Sequence, residues 1–205
     1  LVSTGALNSV GAYIRTNIED SYRAGIELDL QGSFADRLIE LGANTTLSQN
    51  RIGAYTAFLD VFNTEFDWQG TEELAINDQP LAFSPAVTGA AQIGVNVWKK
   101  QKDQQLNITL LSKYVGKQYI DNTGNEQATL PAYNFTNLRA MLSGQFKAGP
   151  EWNMNFTLRN IFNQKYASNA WAYGYIDESS GDVSYLLGLY PQAGPNYLLG
   201  FQLTF

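Results

Sequence analysis

The sequence predicts an all-β chain that forms part of an antiparallel transmembrane β-barrel. Three observations support this prediction: apolar and polar residues alternate, short and long connections alternate, and the last predicted strand ends on an aromatic residue. The chain has 205 residues, of which 44% are hydrophobic and only 16% are charged. It contains no apolar run near the ~18 residues that a membrane-spanning helix needs, so a helical membrane protein is excluded.

The final predicted strand, residues 195–205, shows the alternation that organises the chain. One parity is wholly apolar and aromatic, whereas the other, Leu198, Gly200, Gln202 and Thr204, is mixed and small. Because a strand presents one parity to each face, such a strand fits between lipid and a polar lumen. Its length also matches the ~9–11 residues of a spanning strand. The apolar parity consists of Tyr197, Leu199, Phe201, Leu203 and Phe205.

The same period-two pattern recurs along the rest of the chain and predicts about seven strands plus an N-terminal stub. It is cleanest in residues 20–31, where Ile26, Leu28 and Leu30 share a face opposite Glu27 and Asp29. Residues 1–4 are interpreted as the stub, and residues 5–18 as a loop or strand extension. The further strands are predicted at residues 38–51, 85–99, 104–120, 131–148 and 152–166.

Connection lengths alternate between short and long. Outer-membrane barrels have short periplasmic turns and long external loops, whereas a soluble β-protein has no reason to sort its turns. A soluble barrel with its apolar parity inside shows the same alternation, so alternation alone does not separate the two. The first long segment is expected to extend its strand beyond the bilayer over residues 54–66. Short connections are predicted at residues 32–37, 99–103 and 148–151, and long ones at 52–84, 121–130 and 167–194.

Aromatic residues near the predicted strand ends also favour a membrane protein, because interface girdles of outer-membrane barrels are aromatic. These girdle candidates are Tyr22, Trp98, Tyr114, Trp152 and Tyr166.

The composition excludes several chemistries. The chain has neither cysteine nor histidine, which removes disulfides, thiolate chemistry, histidine acid–base catalysis and the commonest metal ligand. A net charge of −6 argues against nucleic acid, which requires a basic face. We therefore predict no enzyme activity, catalytic residue, cofactor or metal site.

The two longest connections combine aromatic residues with acids and contain no lysine or arginine. Aromatic side chains give a large contact area at modest entropic cost, so these segments are candidates for the mouth of a ligand site. The alternative is that the aromatics pack on each other and close the top of the barrel. Asp177, Glu178 and Asp182 have no lysine or arginine nearby in the sequence, which disfavours an anionic ligand there unless another loop supplies positive charge. The candidate ligand-contacting residues are Tyr55, Trp68, Trp171, Tyr173, Tyr175 and Tyr190.

Five short motifs, in order along the chain, together with the last strand, resemble the C-terminal third of a TonB-dependent outer-membrane receptor. The most specific is Leu158–Tyr166, which is similar to the family pattern N-L-F-D-x-x-Y with Ile161 for leucine and Asn163 for aspartate. The other four are Ser21-Tyr22-Arg23-Ala24-Gly25-Ile26-Glu27-Leu28, Ser84-Pro85-Ala86, Tyr114-Val115-Gly116-Lys117-Gln118-Tyr119 and Leu130-Pro131-Ala132-Tyr133.

The resemblance implies that residues 1–205 are the last seven or eight strands of a 22-stranded barrel in the bacterial outer membrane. The plug and the TonB-engaging motif of that family precede the barrel and are absent from this sequence. The implied function is TonB-dependent uptake of a scarce nutrient: an iron chelate first, with cobalamin, another metal or a glycan as alternatives. The implied partners are outer-membrane lipid, the rest of the barrel, the plug, the TonB complex and the assembly machinery.

The resemblance also assigns roles to individual residues. Phe201, Leu203 and Phe205 look like the C-terminal signal that the assembly machinery reads. On the lumen side, Glu27 and Asp29 are expected to pair with Arg23, Arg139 or Arg159, or all five to contact the plug. The alternative to the receptor is a small eight-stranded barrel without transport function, or a structural barrel subunit of a larger complex.

Overall fold

The computed structural model describes residues 2–10, 12–18, 20–99 and 104–205, and within them every regular element is a β-strand. No helix in this part of the chain is long and apolar enough to cross a membrane. The strands are β1 (Val2–Leu7), β2 (Tyr13–Thr16), β3 (Ser21–Phe34), β4 (Ile39–Ile52), β5 (Tyr55–Phe62), β6 (Trp68–Ile76), β7 (Gln79–Pro80), β8 (Val87–Lys99), β9 (Gln104–Val115), β10 (Gln118–Tyr119), β11 (Thr129–Leu130), β12 (Tyr133–Gln145), β13 (Glu151–Arg159), β14 (Ala167–Asp177), β15 (Val183–Pro191) and β16 (Asn196–Thr204).

Seven long strands form the main sheet in the order β16-β13-β12-β9-β8-β4-β3. Every neighbouring pair in this order is antiparallel, and the short strand β7 adds to one end of β4. The prediction of about seven antiparallel strands is therefore confirmed. The stub is different, because β1 pairs with β2 and not with the main sheet.

The register of the main sheet aligns the apolar parities of all seven strands on one face. One row of directly opposed residues crosses the whole sheet without a polar side chain. Many side chains on this face are exposed, for example Leu30 at 70% and Leu199 at 69%. An apolar face this large, without cover, is unusual for a protein in water. The row consists of Gly32, Leu41, Ile93, Leu110, Leu138, Leu158 and Tyr197.

The opposite face of the sheet is polar. Hollows of about 120, 300 and 420 Å³ lie on this face, and side chains of the polar parity line all of them. In the hollow of 300 Å³, Asn96 Oδ1 accepts hydrogen bonds from Gln105 Nε2 at 2.9 Å and Asn107 Nδ2 at 3.2 Å. The sheet thus has one apolar face and one polar face that carries hollows.

The main sheet is open. Its outer strands, β3 and β16, are each paired on one side only and do not pair with each other. The closed eight-stranded barrel of the alternative prediction is therefore not formed by the described residues.

The ends of the sheet differ as predicted. The short connections 35–38 and 146–150 lie at one end, and the connections of 52–84, 121–130 and 167–194 meet at the other. Strand β3 continues to Phe34, so the first short turn begins later than expected. The predicted basic turn at 99–103 falls mainly on residues 100–103, which lie outside the described residues.

Two long connections differ from their predictions. Residues 54–66 do not extend β4: β5 turns away and pairs with β6, and the two form a hairpin. Residues 167–194 are not an irregular loop, because β14 and β15 form a second hairpin. Alternating apolar residues within both segments, such as Leu59 and Val61, supply the small core that the hairpins need.

The motif 158–166 ends its strand at Arg159, earlier than predicted, because Asn160 turns the chain. Asn160 is 3% exposed and has a φ of 51°, a left-handed conformation that asparagine adopts more readily than most residues. Its Nδ2 donates to Gln164 O at 2.9 Å and to Ala193 O at 3.1 Å, and its Oδ1 accepts from Gln164 N at 2.9 Å. The motif therefore ties β13 to the segment that precedes β16.

The residues predicted to form an aromatic girdle lie in different places. Tyr22 and Tyr114 are exposed near the end of the sheet that carries the long connections, and Trp152 lies near the opposite end. Tyr166 lies away from the apolar face, since its ring stacks on Tyr133 with a centroid distance of 4.5 Å, on the polar side of β12. The Trp98 side chain lies outside the described part of the structure.

Candidate ligand site

The hairpins of the two longest connections join into one four-stranded sheet, which we call the cap. Its strand order is β15-β14-β5-β6, and its central pair, β14 and β5, is parallel. The pairing is short and joins Tyr175 to Asp60 and Asp177 to Phe62. Because β5 and β14 belong to different connections, this parallel pair makes the two connections one unit.

Asp60 is the polar centre of the cap. Its Oδ2 accepts hydrogen bonds from the hydroxyls of Tyr173 at 2.6 Å and Tyr13 at 3.0 Å. Its Oδ1 accepts from Trp68 Nε1 at 3.0 Å and Thr71 Oγ1 at 3.3 Å. These four donors come from β2, β6 and β14, so a single carboxylate connects three strands to β5.

The same contacts shift the pKa values of the ionisable groups in the cap. Burial alone would raise the pKa of Asp60, but the hydrogen bonds from Tyr173, Trp68, Tyr13 and Thr71 outweigh it and lower that pKa. Burial, together with the negative charge of Asp60, raises the pKa of Tyr173 and of Tyr13. At neutral pH the carboxylate is therefore charged and both phenols are protonated donors.

Aromatic packing extends the cap beyond Asp60. The rings of Phe62 and Phe66 stack at 4.8 Å, and both meet Tyr175 edge-on at 5.8 and 5.4 Å. Tyr175 in turn stacks on Tyr173 at 6.4 Å. Such contacts stabilise the closed arrangement of the hairpins. The predicted alternative, in which the aromatics pack on each other, therefore describes this part of the cap.

A cavity of about 610 Å³ lies beside the parallel pair, within the size range of small-molecule sites. It occupies the space between residues 55–60 of β5 and 170–174 of β14. The hairpin of β1 and β2 contributes Tyr13 and Arg15, and the connections of the main sheet contribute Phe83, Asp121 and Asn122.

One polar donor of the cavity wall has no partner. Within the described residues, the Tyr55 hydroxyl makes no hydrogen bond. Burial and then the nearby charge of Asp121 raise the pKa of Tyr55, so its hydroxyl remains a donor at neutral pH. This hydroxyl is thus available to a ligand, whereas the Trp171 indole lies with its Nε1 over Gly188 of β15.

The structure separates the predicted ligand-contacting residues into three groups. Tyr55, Trp171 and Tyr173 line the cavity. Trp68 and Tyr175 instead hold the cap together, Trp68 through Asp60 and Tyr175 through its ring contacts. Tyr190 is exposed on β15 and does not line the cavity.

The predicted lumen residues all lie on the polar parity of the main sheet, but in separate places. Arg23 and Glu27 line the hollow of about 420 Å³, Asp29 that of about 120 Å³ and Arg139 that of about 300 Å³, whereas Arg159 lies opposite Asn196 at the end of β13. No ion pair joins any of them within residues 2–10, 12–18, 20–99 and 104–205. The ion pairs found there are Arg51–Asp78 and Lys117–Glu126, both at 2.8 Å. The expected contact with a plug stays a prediction.

Sequence reasoning missed Tyr13, Asp60 and Asp121 as site residues. Asp60 and Tyr173 are 113 positions apart, and nothing local marks one as the partner of the other. A signal for Asp60 did exist, because it is the only charged residue within the apolar and aromatic strand β5. Across the described residues, no cluster of acidic side chains has a geometry that would hold a metal ion.

Comparisons of the chain with protein-family models and with curated proteins find no match.

Proposed function

We propose that this chain is the C-terminal part of the β-barrel of a TonB-dependent outer-membrane receptor that takes up a scarce nutrient. The observation that carries the proposal is the main sheet itself, with an exposed apolar face, a polar face that carries hollows, and two open edges. In this proposal the remaining strands, an N-terminal plug and the TonB complex complete the receptor.

The open edges support a larger barrel. Strands β3 and β16 each leave one row of backbone N–H and C=O groups unpaired. In the hydrocarbon core of a membrane each unpaired group costs several kcal/mol, so spanning sheets close on themselves. Seven strands that do not meet therefore favour a barrel completed by further strands, as the family resemblance implies.

The position of the cap supports a receptor. Long connections of outer-membrane barrels face outward, and here the three long connections share one end of the sheet with the cap and its cavity. The cavity would then be the outward mouth at which a nutrient is captured, and the hollows of the polar face would meet the plug.

Spin labels test the membrane assignment. In the intact protein in lipid vesicles, labels at Ile26, Leu28, Phe201 and Leu203 should be quenched by oxygen, which dissolves in lipid. Labels at the polar-parity controls Glu27, Asp29 and Gln202 should be protected. The reverse pattern would mean a soluble sheet and would overturn the proposal.

Binding to TonB, the second part of the proposal, is tested by a separate measurement. The intact protein should bind the isolated periplasmic domain of TonB in a pull-down assay, and a variant without the N-terminal plug should not. Lipid exposure without TonB binding would leave an outer-membrane barrel and remove the transporter assignment.

Removing Phe205 is expected to lower outer-membrane yield several-fold without weakening the assembled protein. Phe205 is fully exposed and follows Thr204, which is the last residue paired with β13, so its loss removes no contact of the folded sheet. A surface change of this kind alters stability by less than ~0.5 kcal/mol. Yield is measured in membrane fractions and stability by thermal unfolding of the assembled protein. Normal yield would contradict the assembly-signal assignment of Phe201, Leu203 and Phe205.

A further inference from the structure

We propose that the cap cavity binds a neutral, polyhydroxylated ligand, that is, a carbohydrate. This inference rests on the proposed function, in which the cavity is the outward mouth of a receptor. Three features of the wall point to this class: an unpaired strand edge, aromatic surfaces with a free hydroxyl donor, and two carboxylates with three of their four oxygens already occupied.

The unpaired edge belongs to β14. This strand has β15 along one side, but it has β5 on its other side only from Tyr175 to Asp177. Before that point β5 and β14 diverge, and Ala170–Gly174 line the cavity. One N–H of this segment is occupied, because Ala170 N donates to Asn169 Oδ1 at 2.9 Å. A free strand edge presents both N–H and C=O groups. A hydroxyl pairs with either kind, whereas a carboxylate only accepts and an ammonium only donates.

The aromatic surfaces come from Tyr13, Tyr55, Trp171 and Tyr173. An aromatic face carries partial negative charge and attracts the weakly positive C–H groups that cover one side of a sugar ring. The free Tyr55 hydroxyl then supplies a donor at the edge of these surfaces. Flat C–H faces surrounded by hydroxyls are the ligand surface that matches this wall.

The charges of the site disfavour both kinds of ion. Both oxygens of Asp60 are filled by four donors, and Asp121 Oδ1 accepts from Thr123 N at 3.0 Å and Thr123 Oγ1 at 2.7 Å. A cationic ligand therefore finds few free carboxylate oxygens. An anionic ligand could contact Arg15, which lines the cavity. The acidic residues of connections 52–84 and 167–194, which contain no lysine or arginine, would repel it.

The test uses the intact protein purified in detergent on a glycan array that carries neutral, sulfated and sialylated oligosaccharides. Neutral glycans should bind, and ferric citrate, as an anionic iron chelate, should not compete. The best neutral oligosaccharide is then titrated against three variants. We expect at least a tenfold loss of affinity for Trp171→Ala and about a three- to tenfold loss for Tyr55→Phe, the range of one hydrogen bond. Tyr190→Phe removes a hydroxyl from the same connection as Trp171 but outside the cavity, and should change affinity less than twofold.

The inference is overturned if the folded protein binds no neutral glycan, prefers charged glycans, or binds them equally well after Trp171→Ala. Circular dichroism of each variant establishes folding, so a loss of binding is not mistaken for unfolding of the cap.

The carbohydrate proposal and the membrane-receptor proposal can fail independently of each other. Lipid exposure and TonB binding without glycan binding would reject only the carbohydrate, whereas glycan binding by a protein whose apolar face avoids lipid would reject only the membrane receptor.

Discussion

Replacing Leu110 with lysine is expected to destabilise the membrane-inserted protein by about 3 kcal/mol. Leu110 lies on β9, the central strand of the main sheet, between Ile93 and Leu138 in the apolar row. If this face meets lipid, the substitution places an ammonium near the middle of the bilayer, where a lysine costs ~2–4 kcal/mol. Urea unfolding in lipid vesicles measures the loss, and the amount of protein in the outer membrane should fall with it.

The next residue provides the matched control. Leu111 has the same side chain but faces the polar side, where it lines a hollow with Gln92 and Asn44. Leu111 is half-buried, but a lysine there borders a polar hollow and its ammonium can extend into water, so Leu111→Lys should change the free energy of unfolding by no more than ~1 kcal/mol. If Leu110→Lys were equally harmless, the apolar face would lie in water and the proposed membrane barrel would be wrong.

Replacing Asp60 with alanine is expected to open the cap while the main sheet stays folded. The change leaves four donors on Tyr13, Trp68, Thr71 and Tyr173 without their acceptor. Hydrogen bonds to a charged group contribute ~1.5–3 kcal/mol each when buried, and this site is partly exposed, so we expect a total loss of about 3 kcal/mol. Hydrogen exchange should accelerate in β5 and β14 but not in β9. Asp67→Ala, in the same hairpin, is the control, because the Asp67 carboxylate has no hydrogen bond within the described residues.

The pH dependence of the cap follows from the same carboxylate. Because the pKa of Asp60 is lower in the folded cap than in the unfolded chain, its contribution is complete above the unfolded value of ~3.9. The contribution is lost as the pH falls through the folded pKa. Exchange protection of β14 should therefore hold from neutral pH to about pH 4 and decrease below it. In Asp60→Ala that acid-dependent loss should be absent, and an unchanged acid transition would assign it to another group.

The sequence by itself determined the main sheet, because period-two alternation is a local property that each strand carries in its own residues. Tyr197–Phe205 and the strand around Ile26 showed their apolar parities, and the register then aligned them on one face. Connection lengths likewise identified the end of the sheet at which the long segments meet. Segments 52–84 and 167–194 were recognised as aromatic and acidic, but their hairpins were not recognised.

Only the tertiary structure decided which face carries the hollows and how the long segments meet. Alternation fits a soluble and a membrane sheet equally, and the side-by-side alignment of seven strands is what places Arg139 in a hollow and leaves Leu199 exposed. The parallel pair of β5 and β14 and the Asp60 centre join residues more than 100 positions apart. Such contacts depend on the three-dimensional path of the chain, so the local secondary-structure propensity of each segment cannot predict them.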